Sequence, residues 1–166
     1  MKKIILVAAM VLGFAVAASA QQRALGLRGG YGVELSYQHT LGANFLEADL
    51  GLLGSAFNLA ATYNYMIAQP DWTDRGEWGF YAGPGAAVGL GTEPVAKVDE
   101  MARNISDDTS VFCNIAVAGQ VGLEYTFWFP LQLSVDLRPQ IGIHLASKSG
   151  FYFGGWWPAF SVRYKF

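Results

Sequence analysis

Residues 131–145, LQLSVDLRPQIGIHL, alternate so regularly that they decide the fold class. Every odd-numbered residue of this stretch is apolar, whereas no even-numbered residue is a large hydrophobe. Successive side chains of a β-strand point to opposite faces, so the pattern predicts a strand with one apolar and one polar face. Strands of soluble proteins usually have about five or six residues. A strand tilted across a membrane needs about 9–11, and this stretch is long enough.

The same two-residue period continues through most of the chain after residue 21. Residues 114–127 alternate almost as far as residues 131–145. Shorter alternating runs occupy residues 33–38, 46–52 and 57–67. Residues 78–91 predict a further strand of mostly small side chains, in which Pro84 predicts a bulge or kink because it cannot donate to the ladder.

Polar and turn-forming residues separate the predicted strands. We expect the connections at residues 41–44, 53–56, 69–77, 128–130 and 146–156. A longer connection at residues 91–111 fits either a short amphipathic helix that begins near Pro94 or a disordered loop. Residues 23–39 read either as one long strand, giving seven strands, or as a hairpin turning near Gly29 and Gly30, giving eight. Single-chain barrels have even strand numbers, so we favour the hairpin.

The first twenty residues, MKKIILVAAMVLGFAVAASA, predict a secretory signal peptide. A basic start at Lys2 and Lys3 precedes an apolar run that ends in small residues suited to cleavage. We therefore expect residues 1–20 to be removed and residues 21–166 to form one domain.

Composition narrows the class of protein further. Only 14% of the residues are charged, against about 25% in ordinary soluble domains, and 14% are aromatic. Cys113 is the single cysteine, so no internal disulfide framework can form. A formal net charge of −2 gives no indication of a nucleic-acid partner. An exported, apolar chain without a spanning helix is either a soluble all-β protein or a membrane β-barrel.

The charged residues of the predicted strands share the polar face, which the strand parity places inside the barrel. They are Arg28, Glu34, Glu47, Asp49, Glu124, Asp136, Arg138, Arg163 and Lys165. In a soluble barrel such as a lipocalin the interior is apolar and the exterior charged, whereas here the order is inverted. The sequence therefore predicts an all-β protein, an eight-stranded antiparallel up-and-down transmembrane β-barrel.

These interior charges are expected to pair with one another, because unpaired charges in a water-poor lumen are costly. We expect Arg138 to compensate Asp136 or Glu124, which lie on the same or the preceding strand. Small inward-facing residues on one side of the barrel leave space that could instead favour a narrow pore. They are Gly83, Gly85, Ala87, Gly89, Ala116, Ala118 and Gly122.

Several stretches resemble the small outer-membrane β-barrel proteins of Bacteroidetes, which are porin-like in name and OmpX-like in size. They are YGVELSYQHTLG (31–42), FYAGPGAAVGLG (80–91), VAGQVGLEYTF (117–127), PLQLSVDLRP (130–139) and VRYKF (162–166). The resemblance implies an outer-membrane location, contact with lipid and insertion by the outer-membrane barrel assembly machinery. It also implies that this machinery reads an assembly signal formed by Phe160, Val162, Tyr164 and Phe166.

Four functions are compatible with this pattern. The favoured one is a structural or interaction barrel whose lumen is filled by side chains, and a narrow pore for ions or small solutes is the alternative. A lipid-modifying enzyme would use His144 with Ser147 or Ser149, but no nucleophile motif surrounds the serines. A soluble ligand-binding barrel is the fourth. We therefore predict a monomer that is not an enzyme, with no cofactor and no metal site.

Overall fold

The computed structural model of the protein describes residues 22–53, 56–99, 104–146 and 149–166, and these residues contain strands but no helix. The predicted signal peptide lies outside them. The strands are β1 (Arg23–Gly29), β2 (Val33–Leu41), β3 (Asn44–Leu53), β4 (Ala56–Ala68), β5 (Glu77–Asp99), β6 (Asn104–Thr126), β7 (Leu131–Leu137), β8 (Gln140–Leu145), β9 (Gly150–Gly154) and β10 (Pro158–Lys165).

Antiparallel pairing closes these strands into a barrel of eight wall positions. Each strand from β1 to β6 pairs with the next along the chain, and β1 also pairs with β10. β7 and β8 both pair with β6 and together form one wall position. β9 pairs with β8, β10 pairs with β7, and these two strands together form the next wall position. The predicted eight-stranded antiparallel up-and-down barrel is confirmed, as is the first turn, which spans residues 30–32 between β1 and β2.

Two of the eight wall positions are interrupted. The predicted strand at 131–145 breaks at Arg138 and Pro139, where the carbonyl of Pro139 still accepts a hydrogen bond of 2.9 Å from the amide of Gly119. The predicted connection at 146–156 is wrong in part, because Gly150–Gly154 pairs with β8 as strand β9. Gly155 then turns the chain with a φ of 73°, a left-handed conformation that favours glycine.

At Pro84, where the sequence predicts a bulge or kink, the β4–β5 register does not shift. Thr62 and Tyr65 of β4 keep one register with β5 on either side of Pro84, and the register shifts only between Met66 and Ala68. The β4–β5 pairing skips Gly83 and Pro84 and resumes in the same register, and the absence of a Cβ at Gly83 lets the two strands approach closely.

Strands β5 and β6 extend beyond the barrel as a two-stranded ribbon. Leu90 is the last residue of β5 that pairs with β4, and the β5–β6 pairing continues to Asp99 and Asn104. The short helix predicted within residues 91–111, and the disordered loop offered as its alternative, are therefore wrong for the described residues 91–99 and 104–111. Val95, Val98 and Ile105 are β-branched, which favours strand over helix.

The barrel interior is polar and its exterior apolar. Among the described residues, the buried side chains comprise sixteen polar or charged ones and eight hydrophobic ones, and six of those eight are alanines. Large hydrophobic residues of every strand from β1 to β10 face outward and are exposed. The candidate site therefore lies in the polar lumen. We call the end that holds the start of β1 and the end of β10 the near end, and the opposite end the far end.

A methyl group at Gly83 should weaken the barrel wall, because an added Cβ would overlap the carbonyl oxygen of Tyr63 on β4. We expect Gly83→Ala to lower the free energy of unfolding by about 1–3 kcal/mol, as measured by urea titration of the barrel refolded in detergent. Gly119→Ala on β6 is the control, since no atom lies within 4 Å of its Cβ position. Equal stability of the two variants would contradict the close approach of β4 and β5.

Candidate functional site: the charged lumen

The far half of the lumen holds a cluster of five charged residues, which we call the far cluster: Arg28, Glu34, Asp49, Asp136 and Arg138. Arg28 and Glu34 lie directly opposite each other in the β1–β2 register, so their side chains share the inner face. Arg138 follows β7 at the strand break, and Asp49 lies on β3. Residues from four wall positions thus converge on one set of ion pairs.

Glu34 bridges the two guanidinium groups of the far cluster. Its Oε2 accepts from Arg28 Nη1 at 2.7 Å and from Arg138 Nη2 at 2.6 Å. Arg28 also binds Asp136, with Nη2 at 2.5 Å from Oδ1 and Nε at 3.2 Å from both carboxylate oxygens. The Nη1 of Arg138 donates to Asp49 Oδ2. Each guanidinium is therefore shared by two carboxylates, the arrangement that a planar fork of donors favours.

A second group, which we call the central cluster, fills the middle of the lumen around Arg163 of β10. The Nη2 of Arg163 lies 3.0 Å from Glu47 Oε1, and both side chains are fully buried. Arg163 also donates to the hydroxyls of Ser36 at 2.9 Å and Ser134 at 2.8 Å. Additional hydrogen bonds of this kind are what allow a buried ion pair to offset its loss of hydration.

Amides complete the central cluster. Glu47 accepts from Gln38 Nε2 at 2.8 Å and from Gln120 Nε2 at 3.0 Å. The Oε1 of Gln120 accepts from the Thr62 hydroxyl and, at 3.1 Å, from Asn64 Nδ2. Side chains from β2, β3, β4, β6, β7 and β10 therefore join in one network across the lumen.

The remaining predicted lumen residues lie toward the near end. Glu124 is buried and accepts from Gln132 Nε2 at 2.9 Å. Lys165 borders the cavity at the near end and has no ion pair with a described residue. The expected compensation of Asp136 or Glu124 by Arg138 is wrong, because Arg138 instead pairs across the lumen with Glu34 and Asp49. Parity gives the face of a side chain but not the partner that lies opposite.

Tyr81 is a lumen residue that the sequence analysis missed. Its ring is fully buried and packs edge-on against Phe45 at a centroid distance of 5.0 Å. It occupies the space where Gly122 has no side chain, since a Cβ there would overlap the Tyr81 ring. Tyr81 has the parity of Gly83 and Gly85, so the alternation could have placed it inside as the filler of the space beside the small residues.

Two cavities lie at opposite ends of the lumen. The near cavity has a volume of about 220 Å³ and the far cavity one of about 420 Å³. They share no lining residue. Between them lie the side chains of Ser36, Glu47, Asp49, Thr62 and Arg163, which are at most 1% exposed. The middle of the lumen is therefore filled by side chains.

The residues considered for catalysis have other contacts. The Nδ1 of His144 lies 2.6 Å from Asn114 Oδ1, and its ring contacts Phe112. The hydroxyl of Ser149 donates to the carbonyl of Ala146 at 3.5 Å, and Ser147 lies outside the described residues. In the described part of the chain, no group of three or more His, Cys, Asp and Glu side chains could hold a metal ion.

No described segment is a helix that is long and apolar enough to span a membrane. Comparison of the chain with protein-family models, curated proteins and solved structures gives no match in any of the three. The function is therefore inferred from the geometry of the barrel itself.

Loss of the Arg138 side chain should destabilise the barrel strongly, because Glu34 and Asp49 would keep buried charges with fewer partners. We expect Arg138→Ala to lower the free energy of unfolding by about 3–5 kcal/mol in urea titrations followed by tryptophan fluorescence. Lys165→Ala also removes one lumen cation, but it breaks no ion pair to a described residue and should cost less than about 1 kcal/mol. Similar losses in both variants would show that total charge, rather than pairing, matters.

Proposed function

We propose that the protein is an integral outer-membrane β-barrel with a closed lumen and a structural or interaction role. The inversion of the two faces carries this proposal. A barrel in water would place its hydrophobic side chains inside, whereas here the interior holds ion pairs and amides. An exterior that is apolar on every strand suits hydrocarbon, in which the backbone groups of a closed barrel are all paired.

Aromatic residues at both ends of the barrel support the membrane assignment. Near the connections of the near end, Trp78 lies 5.4 Å from Trp72 and 4.7 Å from Tyr125, measured between ring centroids. At the far end, Tyr31 stacks on Trp157 at 6.5 Å. Aromatic girdles at the two interfaces flank the apolar band of outer-membrane barrels.

The proposed orientation places the near end in the periplasm. The β5–β6 ribbon leaves the barrel at the far end, and long connections of outer-membrane barrels lie outside the cell. The predicted signal peptide, the resemblance to small Bacteroidetes barrels and the assembly signal at residues 160–166 are consistent with export and assembly as a monomer in lipid. Fractionation of cells should find the protein in the outer membrane, and recovery in the soluble periplasm would overturn the proposal.

A closed barrel is favoured over the alternative of a narrow pore. The small residues of β5 and β6 leave space, but Tyr81 and Asp136 occupy the space beside Gly122, and β4 lies close against Gly83 and Gly85. The central cluster lies between the two cavities, which share no lining residue. With no catalytic arrangement among the described residues, we propose no enzymatic activity.

The lipid-facing assignment predicts that the cost of an arginine depends on its depth. Val135 is 39% exposed in the middle of its wall position, so Val135→Arg should destabilise the barrel in lipid vesicles by about 2–4 kcal/mol. Leu131→Arg makes a similar change where β7 begins, beside the near-end turn, and should cost about 0–1 kcal/mol. If both variants unfold at the wild-type urea concentration, the outer face does not lie in hydrocarbon.

The filled lumen predicts that the protein carries no steady current. The current across a planar bilayer should be the same before and after purified wild-type barrel is inserted. The central cluster blocks a continuous water path through the lumen. Insertion is verified separately by protease protection of the refolded protein. A steady conductance whose ion selectivity shifts on Arg163→Gln would establish the pore instead.

A further inference from the structure

Every charged group that lines the far cavity is already held in an ion pair. Among the described residues of its wall, the charged ones are Arg28, Glu34 and Arg138. The two oxygens of Glu34 accept from both guanidinium groups and, at 3.2 Å, from Asn58 Nδ2. Each guanidinium also binds a carboxylate that does not line the cavity. A charged ligand would therefore have to compete with these pairs, whereas a neutral ligand would leave them intact.

Two uncharged polar groups of the far cavity have no partner in the described chain. Gln140 is 8% exposed, and its side-chain amide makes no hydrogen bond to another described residue. Its neighbours across the sheet are Ala118 and Gly154, which offer no polar side chain. The hydroxyl of Tyr152 on β9 likewise makes no hydrogen bond to a described residue. Both side chains line the cavity, and their polar atoms remain accessible.

Amides and hydroxyls suit a ligand that itself carries hydroxyl groups. A side-chain amide both donates and accepts, as does a phenol, which matches the two roles of a ligand hydroxyl. Asn58 and Asn114 add two more amides to the wall, each with one atom bound to a neighbour and the other unbound in the described chain. The polar part of the wall is therefore rich in uncharged donors and acceptors.

Aromatic rings supply the apolar part of the wall. Phe112 and Tyr152 line the cavity and have the parity of the lumen-facing residues of their strands. Trp156 and Trp157 line it as well, and each is 67% exposed. A sugar ring has C–H faces, which pack against aromatic rings, and hydroxyl edges, which need donors and acceptors. Aromatic faces beside uncharged polar groups therefore favour a sugar over a hydrocarbon or an ion.

We propose that the far cavity binds a neutral sugar, with hydroxyls bonded to Gln140 and Tyr152 and one C–H face packed on an aromatic ring. The unpartnered amide of Gln140 points to a ligand, because buried polar groups are normally hydrogen-bonded. The cavity volume of about 420 Å³ is within the range of small-molecule sites. This binding site goes beyond the proposed role of the barrel and depends only on the far cavity.

The test uses the neutral methyl glycosides of glucose, galactose and mannose as probes. Ligand-observed NMR titration of the full barrel, refolded in a detergent without a sugar headgroup, should show saturable binding of at least one glycoside. The matching uronate and amino sugar carry a charge on the same ring and should bind about fivefold more weakly, because the ion pairs of the cavity leave no free partner for a charge. Tetrahydropyran-2-methanol, which lacks the ring hydroxyls, should also bind more weakly. Binding of none of the glycosides, or equal binding of a charged or hydroxyl-free analogue, would overturn the proposal.

Single substitutions locate the site. Gln140→Leu removes the amide but breaks no hydrogen bond to a described side chain, so the barrel should fold and bind the glycoside about fivefold more weakly. Gln69→Leu makes the same change at the near cavity and should keep the wild-type affinity. Should Gln140→Leu not fold, Tyr152→Phe removes only a hydroxyl and should weaken binding about threefold, whereas Tyr65→Phe on the outer face should not. Wild-type affinity in the folded far-cavity variants would contradict the assignment.

Discussion

The need to pair the charges buried in the middle and far half of the lumen is the constraint on which the barrel depends. The partners are distant in sequence: 108 residues separate Arg28 from Asp136, and 89 separate Asp49 from Arg138. Both pairs join wall positions that are not adjacent, so the ion pairs can form only when the wall is closed between β1 and β10. Because an unpaired buried charge is costly, an open barrel with its charges turned inward is unfavourable. Closure of the wall and pairing of the charges therefore reinforce each other and make folding cooperative.

Unequal side-chain volumes around the wall allow this pairing. Strands β5 and β6 contribute mostly glycine and alanine to the lumen, besides Tyr81, Gln120 and Glu124, whereas the strands across from them contribute arginine, glutamate and glutamine. A Cβ at Gly122 would overlap both Tyr81 and the Asp136 side chain, so even the smallest side chain would displace a neighbour. Small residues here make room for long ones, as interdigitation at close-packed density requires. Of the glycines that suggested an open pore in the sequence, Gly122 lies against the side chains of Tyr81 and Asp136, and Gly83 lies against the backbone of β4.

Alternation along the sequence predicted the strands and their faces because both follow from a two-residue period that needs no tertiary information. It could not predict that Arg138 pairs with Glu34 and Asp49, since the partner across a lumen depends on strand tilt and stagger around the whole barrel. The ribbon of residues 91–99 and 104–111 was missed because helix-like spacing competed with β-branched residues, and pairing with the partner strand decided the outcome. Strand β9 was missed because its pairing with β8 follows a break that glycine-rich sequence does not distinguish from a loop.

Because the middle of the lumen is filled by side chains, the near and far cavities are separate and do not form a channel. The near cavity is the smaller one and borders Lys165, whereas the far cavity is larger and borders Arg28, Glu34 and Arg138 of the far cluster. The fully buried ion pair of Arg163 and Glu47, with its supporting hydrogen bonds, would have to break before a solute could pass from one cavity to the other. Passage is thus opposed by the same interactions that hold the wall closed. In the proposed orientation the far cavity opens to the outside of the cell, so a solute that enters it from there meets the buried central cluster rather than a path through the barrel.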